Sequence, residues 1–443
     1  MCKICVVILR NSFFLAYFLV VFFFTSCEDK NNKSLVCESF FPLEGGMNTQ
    51  VTLVVRNMGN MSPFVEVRFN EKRASVVNWF NDSVRVLTPM RPGDECTIHV
   101  KIGRDSAEFL QKFTYHTQSA LSTLVGQQGA TEFNPGLYSE VTFQDPCYLT
   151  IDVDGNLFLS HYTPNLVALI NKKEEYVIPL TLTGGLEYNI PCVPVVDLSG
   201  KVIMVPLDGR NSEYVLYFQF NANEDWAPRL RSISLPSTSL ISPKFSFAIC
   251  ELDGMVYFRS SRDGAIMRFD LPTRTGEWAT DKNGHELWLN ENLDAGAYLA
   301  FDPFNKSRLF GTLSGETGLA HCVAFVDVVT GEEGIYAGGI GKDAFGWKDG
   351  AAKDARFNNP KQIVFDNEGN LLIADAGNHC IRKISRDGIV STVAGVAGIS
   401  GYKDGPIDEA LLDCPWGICV DRRNDDIYIV DRGNKCIRII SFF

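Results

Sequence analysis

The sequence predicts an all-β chain: a small β-sandwich, then a six-bladed β-propeller closed by a strand from the propeller's own N-terminal side. Three observations predict it. Short apolar strands separated by Asp, Asn and Gly turns are written twice near the C-terminus. Weaker copies of the same text precede them. The last copy lacks an outer strand, and the missing text stands far upstream, at residues 121–126.

The first residues are read as a targeting segment, residues 1–26, and left out of the fold. Lys3 and Arg10 flank the start of an apolar run at residues 12–24, too short for a comfortable membrane span. Thr25-Ser26 ahead of Cys27 resembles a bacterial lipoprotein signal. That resemblance implies cleavage before Cys27 and lipidation of its thiol, with residues 27–35 as a polar tether; an uncleaved anchor helix is the alternative. Either way the rest of the chain sits outside the cytoplasm, and its membrane contact is the anchor alone. Glu28-Asp29 resembles the acidic signal that sends Bacteroidetes-type lipoproteins to the outer cell surface. An outer-membrane, outward-facing location is therefore expected.

The net charge of −12 argues against a nucleic-acid partner, which needs clustered Lys and Arg. Of the thirteen Cys, Cys2 and Cys5 lie in the leader. Cys147, Cys192, Cys250, Cys322, Cys380, Cys419 and Cys436 fall in or beside apolar strands, and Cys414 precedes a proline. Buried thiols that pack as small apolar groups are expected of most of them. Cys37 and Cys96 are candidates to pair.

Residues 36–117 carry strands near 51–55, 65–69, 83–87 and 96–102, the middle two alternating apolar with polar residues. Gly45-Gly46, residues 57–60, Asn81-Asp82 and Pro92-Gly93 supply the turns. A sandwich follows. Phe41-Pro42-Leu43-Glu44-Gly45-Gly46, Asn57-Met58-Gly59, Val67-Arg68-Phe69-Asn70 and Phe113-Thr114-Tyr115 resemble the IPT/TIG family of Ig-like domains. The resemblance implies a spacer. Trp79 and Phe80 are expected in the core or at a domain interface.

Residues 121–443 are read as the propeller. The clear copies run from Gly346-Trp347-Lys348-Asp349-Gly350 through Pro360 and Asp375 to Ile381-Arg382, and from Gly401-Tyr402-Lys403-Asp404-Gly405 through Pro415 and Asp431 to Ile437-Arg438. The offset is 55 residues at the prolines and 56 at the aspartates, so one residue is inserted in the hairpin between them. Such a unit cannot bury both faces alone. Weaker copies begin at Pro146, Pro191, Pro243 and near Tyr298, the last being the poorest, which makes six. Leu121-Ser122-Thr123-Leu124-Val125-Gly126 echoes Val390-Ser391-Thr392-Val393-Ala394-Gly395, so it is expected to complete the sixth blade and leave no open edge.

Pro-x-x-Ile, Asn-Leu, Ala-Asp, Asn-x-x-Ile-Arg and Ser-Thr-Val-Ala-Gly at residues 337–441 resemble the NHL repeat. With a lipidated Cys and one IPT/TIG module, the chain is similar to surface lipoproteins encoded by gut Bacteroidetes beside glycan importers. The resemblance implies binding of an extracellular oligo- or polysaccharide as an accessory to outer-membrane polysaccharide uptake, with a TonB-dependent importer complex as a protein partner. Two other readings stay open: a protein-interaction subunit of that importer, and a polysaccharide lyase or lactonase.

In a propeller the loops leading into first strands, and those joining second to third strands, share one face around the central pocket. The first set offers Trp347, Lys348, Lys361, Tyr402, Lys403 and Trp416. The second offers His161, Tyr162, Arg262, Asn378, His379, Arg432 and Asn434. Aromatic rings stack on sugar faces, while Lys, Asn and His bond hydroxyls or carboxylates. Asp349-Gly350, Asp404-Gly405, Asn378 and Asn434 recur between copies, as turn-shaping residues do. Some NHL-type propellers are lyases that hold zinc through His near the channel; the counterpart positions after the prolines carry no His here. His161, His321 and His379 come from three blades. Asp152-Val153-Asp154-Gly155-Asn156 is read as a hairpin turn, since it lacks the distant Glu and loop length of a calcium loop. No cofactor or metal is expected.

Overall fold

The computed structural model describes residues 34–46, 49–58, 65–89, 93–116, 119–180, 192–207, 214–234, 243–260, 265–279, 295–315, 320–341 and 343–442. The leader, Cys27 and Arg262 lie outside them. Two compact units divide the chain, Met1–His116 and Thr117–Phe443. Among the described residues no helix is long and apolar enough to cross a membrane.

Among its described residues the first unit has two four-stranded antiparallel sheets and a small three-stranded one. Val36–Phe41, Gln50–Arg56, Ser83–Leu87 and Ser75–Phe80 make one sheet; Asp105–Glu108, Ile98–Ile102, Val65–Phe69 and Lys72–Arg73 make the other. Alternation does what a half-buried strand requires. Val51, Leu53, Val55, Val67, Phe69, Val84, Val86, Ile98 and Val100 are buried in one core, where Phe69 meets Phe113 edge to face at 5.2 Å. The turns at Asn57, Asn70 and Asn81 all hold a left-handed Asn, with φ of 62°, 49° and 51°. Trp79 packs against the core as expected, whereas Phe80 is largely exposed. The candidate disulfide does not form. Cys37 and Cys96 are free thiols, and Cys96 Sγ lies 3.0 Å from the Gly93 carbonyl oxygen.

The second unit is a ring of six sheets among the described residues, each built outward from its first strand. Those first strands are Pro146–Ile151, Val195–Val196, Pro243–Ile249, Ala295–Phe301, Pro360–Phe365 and Pro415–Val420. Each touches the next, and the sixth touches the first. The inner strands are apolar on both faces because sheets pack on either side. Buried polar side chains cross-link them. Gln362 accepts from the Leu149 and Ile418 N–H groups (3.3 and 3.2 Å) and donates to the Leu149 carbonyl (2.8 Å), tying the fifth, sixth and first sheets. Ser246 does the same between the third and fourth.

The sixth sheet is closed by the strand Ser119–Gly126, antiparallel to Cys436–Phe442, with Leu121 opposite Ile440 and Thr123 opposite Arg438. This is the pairing the echo of residues 390–395 predicts: in the fifth sheet Arg382 faces Thr392 in the same way. A glycine in the left-handed region ends the closing strand and immediately follows its fifth-sheet counterpart Ile389–Ala394: Gly126 (φ 103°) and Gly395 (φ 85°). A Cβ there would stand 2.6 Å from the Lys435 or His379 carbonyl oxygen, so only glycine fits. Lys172 of the first sheet adds a latch between sheets, bonding Asp421 (3.0 Å) and the Tyr428 hydroxyl (2.6 Å) of the sixth.

Sequence reading missed the short fifth strands. Gly136–Leu137, Gly350–Ala351 and Gly405–Pro406 each pair with the outermost long strand of a sheet. Two residues carry no periodicity to read. Cys147, Cys192, Cys250, Cys322, Cys380, Cys419 and Cys436 are buried free thiols, as expected, and Cys414 is half-buried. Burial pushes the Cys147, Cys322 and Cys436 thiols up to about 12.

Candidate functional site

The loops leading into first strands and those joining second to third strands do meet at one end of the ring. Gly377 N–H bonds the Asn358 carbonyl (2.8 Å), Gly433 N–H the Asp413 carbonyl (2.8 Å) and Tyr162 N–H the Asp145 carbonyl (2.9 Å).

The repeated residues around this face build one lock, twice. Arg382 is fully buried and donates to Asp375 (3.0 Å), to Asp349 and to the carbonyls of Lys348 (2.9 Å) and Arg356 (3.0 Å). Arg438 repeats this with Asp431 (2.7 Å), Asp404 and the carbonyls of Lys403 and Leu411 (both 3.2 Å). Asn378 and Asn434 each donate from Nδ2 to the neighbouring aspartate and to a turn carbonyl, all at 2.8 Å. These asparagines are the turn-shaping residues their recurrence suggests. Burial lifts Asp375 and Asp431 to about 6, against the hydrogen bonds and guanidinium charges that hold them down.

Trp347 and Tyr402 belong to these locks. The Trp347 indole N–H donates to Thr392 Oγ1 (3.1 Å), and the Tyr402 hydroxyl bonds Thr123 Oγ1 (2.8 Å) beneath the Arg438 guanidinium. Both rings sit on outermost strands of their sheets, away from the ring centre, although each stays part-exposed. Lys403 pairs with Glu409 at 2.9 Å on the surface. Lys348 is exposed beside Trp347, and its carbonyl serves the lock.

His161 is fully buried, which removes it from any ligand-contacting set. Its Nε2 accepts from the Asp145 N–H (3.1 Å), and its Nδ1 donates to the Pro164 carbonyl (3.1 Å). In register it stands opposite Pro146 as Asp375 stands opposite Pro360 and Asp431 opposite Pro415. The aspartates cap the matching N–H groups of Asn358 and Asp413, so His161 is the first sheet's version of the same cap. Burial lowers its pKa to about 4. Tyr162, next to it, is exposed on the face.

His321 and His379 do not converge on His161. Each accepts at Nδ1, at 3.0 Å, from a backbone N–H of the next sheet's leading turn, Asn359 and Cys414 respectively. Those two residues are left-handed, with φ of 55° and 50°, immediately before Pro360 and Pro415. The histidines are therefore pins between sheets. Among the described residues no group of three His, Cys, Asp or Glu side chains comes together to hold a metal.

The remaining predicted residues gather at the ring centre. Trp416 lies nearly parallel to Tyr148 (centroids 5.6 Å, 22°), and Tyr148 meets Tyr298 from across the ring (5.1 Å), their hydroxyls bonded. The Arg432 guanidinium covers the Trp416 ring at 3.7 Å and pairs with Asp145 at 2.6 Å. Lys361 Nζ stands 5.0 Å from the Trp416 ring centre and 6.0 Å from that of Tyr298. Cys147 and Val193 fill the base. Burial drives both tyrosine hydroxyls well above their usual range, so they remain neutral donors and acceptors. Irregular pairing at the starts of the first, fifth and sixth inner strands falls at the residues that supply Tyr148, Lys361 and Trp416. Tyr148 and Tyr298 were missed as site residues. For Tyr148 a signal was available, since it stands two residues after Pro146, beside the position that supplies Lys361 and Trp416, whereas Tyr298 lies mid-strand in Ala295–Phe301.

With this geometry in place, likeness to known proteins is informative. Residues 357–384 and 412–440 match the model for the NHL repeat. Both stretches are NHL repeats. The chain is 33% identical over 109 residues to SUPPRESSOR OF QUENCHING 1, a chloroplastic protein of Arabidopsis thaliana, and 27% identical over 100 residues to human NHL repeat-containing protein 2. These alignments span 23% and 22% of this chain, and only 10% and 14% of those proteins. Solved structures match far more of the fold. A Bacteroides thetaiotaomicron structural genomics protein of unknown function aligns with a TM-score of 0.69 at 20% identity, over 93% of this chain and 99% of that one. A Bacteroides ovatus protein named as an auxiliary nutrient binding protein aligns with a TM-score of 0.64 at 21% identity, over the same shares. At such identities the likeness is one of fold.

Proposed function

We propose that this chain is a cell-surface lipoprotein that binds an extracellular glycan on the NHL ring, as an accessory to polysaccharide uptake across the outer membrane. The first unit serves as an Ig-like spacer between the lipid on Cys27 and the ring. The observation that carries the reading is the ring-centre cluster, in which Trp416, Lys361 and Arg432 stand over the Tyr148–Tyr298 pair. Partly exposed aromatic edge beside cationic donors suits a ligand with apolar C–H faces and many oxygen acceptors. The fold neighbour named as nutrient binding and the lipoprotein-like leader support the same direction.

The test is calorimetry and a glycan array on the full chain held in detergent. Binding to at least one oligosaccharide, weakened about tenfold or more by Trp416→Ala, is the expected result, since losing one well-packed aromatic contact costs ~1–3 kcal/mol. An array without a single binder sinks the proposal.

A further inference from the structure

We infer that the propeller carries a second ligand site, a cleft between the fourth and fifth sheets that takes one neutral sugar ring. Its ligand class is argued from the cleft alone, so it stands apart from the reading at Trp416.

The repeat sets the place. Hairpins joining first to second strands, and third to fourth strands, lie at the end of the ring away from the candidate face, because antiparallel strands reverse at every turn. At that end, between the sixth and first sheets, three residues form a closed latch. Asp421 follows the first strand, Tyr428 stands opposite the residue two before it, and Lys172 comes from the neighbouring sheet's outer hairpin and bonds both. Strand register puts Asp302, Phe310 and Arg386 at the same three positions between the fourth and fifth sheets. No latch forms there. Phe310 has no hydroxyl, and the Arg386 guanidinium lies over the Phe304 ring instead, 4.2 Å from its centre. Phe304 in turn leans on Gly369, where a Cβ would stand 2.6 Å from the ring. What remains is a cleft of about 290 Å³, floored by the buried side chains of Phe365, Leu371 and Ile384. That volume is at the small end for ligand sites and suits a single ring rather than a chain.

The polar groups of the cleft are of both kinds and largely unspent. Arg308 Nε–H is buried without an acceptor; the same guanidinium reaches Glu332 only at 3.6 Å and covers the Phe325 ring at 4.5 Å. Among the described residues the Tyr336 hydroxyl has no hydrogen bond and Arg386 has no acidic partner. Asp302 Oδ1 accepts the Phe304 N–H (2.8 Å), which leaves Oδ2 as an open acceptor. A hydrocarbon would strand Arg308, Tyr336 and Asp302 without partners. An anion would satisfy the guanidinium groups but set a like charge against Asp302, and a cation would meet two arginines. A neutral polyol answers all of them, since each hydroxyl both donates and accepts. A pyranose adds a C–H face to lie against Phe304 and Tyr336.

The experiment is saturation-transfer NMR on the full chain in detergent, with glucose, galactose, mannose and xylose as neutral probes. Glucuronate, glucosamine and cyclohexanol form the charged and apolar arms. The expected result is transfer to at least one neutral sugar, with affinity lowered about fivefold by Tyr336→Phe, which removes one hydroxyl and keeps the ring. Phe310→Tyr combined with Arg386→Lys supplies the groups of the sixth-sheet latch beside Asp302, and should abolish the signal without lowering the melting temperature. Trp416→Ala leaves the signal intact. Silence toward the neutral sugars, a stronger response to a charged or apolar arm, or undiminished binding in Tyr336→Phe overturns the inference. Signal lost in Trp416→Ala but kept in the latch variant overturns it too, and leaves the ring-centre reading standing. Clear transfer here beside a glycan array without binders supports this cleft and sinks the ring-centre reading alone.

Discussion

Arg382 allows the most quantitative test. Replacing it by Met keeps the apolar stem and removes the charge. Asp375 is as fully buried as Arg382 and retains only the Asn358 N–H and the Asn378 amide as donors. The carbonyls of Lys348 and Arg356 lose this donor too, each keeping the other residue's N–H (3.2 and 3.4 Å). Removing one partner of a buried ion pair costs about 3–5 kcal/mol, because the other charge stays behind. Asp349 is partly exposed and rehydrates, so its lost bond adds little. We expect Arg382→Met to cost about 4 kcal/mol at pH 8. The cost depends on pH. Burial already raises Asp375 from 3.8 to about 6, and losing the guanidinium raises it further. A carboxyl raised in the folded state favours folding fully below its unfolded pKa, and that advantage is lost as pH rises through the folded value. At pH 5 the variant's Asp375 is protonated, and the penalty falls to about 2 kcal/mol. Arg382→Met with Asp375→Asn removes the stranded charge and recovers about 2 kcal/mol at pH 8. Urea unfolding followed by tryptophan fluorescence at pH 5 and pH 8 measures all three proteins. A loss under about 1 kcal/mol, or the same loss at both pH values, refutes the reasoning.

Two further predictions concern folding. His161 has its pKa lowered by burial to about 4, so the unfolded chain takes up that proton first as pH falls. Stability drops by about 1.4 kcal/mol per pH unit between the unfolded and folded values. His161→Asn keeps an acceptor for the Asp145 N–H and should flatten that part of the acid limb; slopes from denaturation between pH 4 and pH 6.5 that match the parent protein contradict it. Leu121, buried in the closing strand against Ile381, Ile418 and Ile440, is the second site. Leu121→Asp should cost about 4 kcal/mol or more and expose residues 119–126 to protease, read as early cleavage fragments in limited proteolysis. Equal resistance to protease means the strand contributes little to closure.

Much of the fold was legible because the repeat is written in residues with a backbone purpose. Pro360 and Pro415 open inner strands, and the Asp366-to-Asn370 and Asp421-to-Asp426 hairpins carry the bonds their turn residues suggest. Closure was legible for a related reason: Thr123 and Gly126 are chosen by the same partners as Thr392 and Gly395. The fourth sheet was hardest to read, yet it is complete, with three eight-residue strands. Its Gly, Ala and Thr suit strands packed on both sides and show no alternation. In the site, residue type misled where position within a repeat did not. Trp347 and Tyr402 look like ligand rings by type, but their shared position serves the locks. His161 looked available until its register with Asp375 and Asp431 showed a cap. The Tyr148–Tyr298 meeting needs a closed ring, which no local pattern contains.

The closing strand has a consequence for biogenesis. Synthesis delivers residues 119–126 long before residues 436–442, so the early segment waits unmatched while every intervening sheet forms. That interval is a window for mispairing with another copy, and its length is set by the rate of chain synthesis rather than by the strand's own chemistry. Nicks or appended peptides near residue 440 should thus do harm far out of proportion to their size, because the final hairpin is also the clasp.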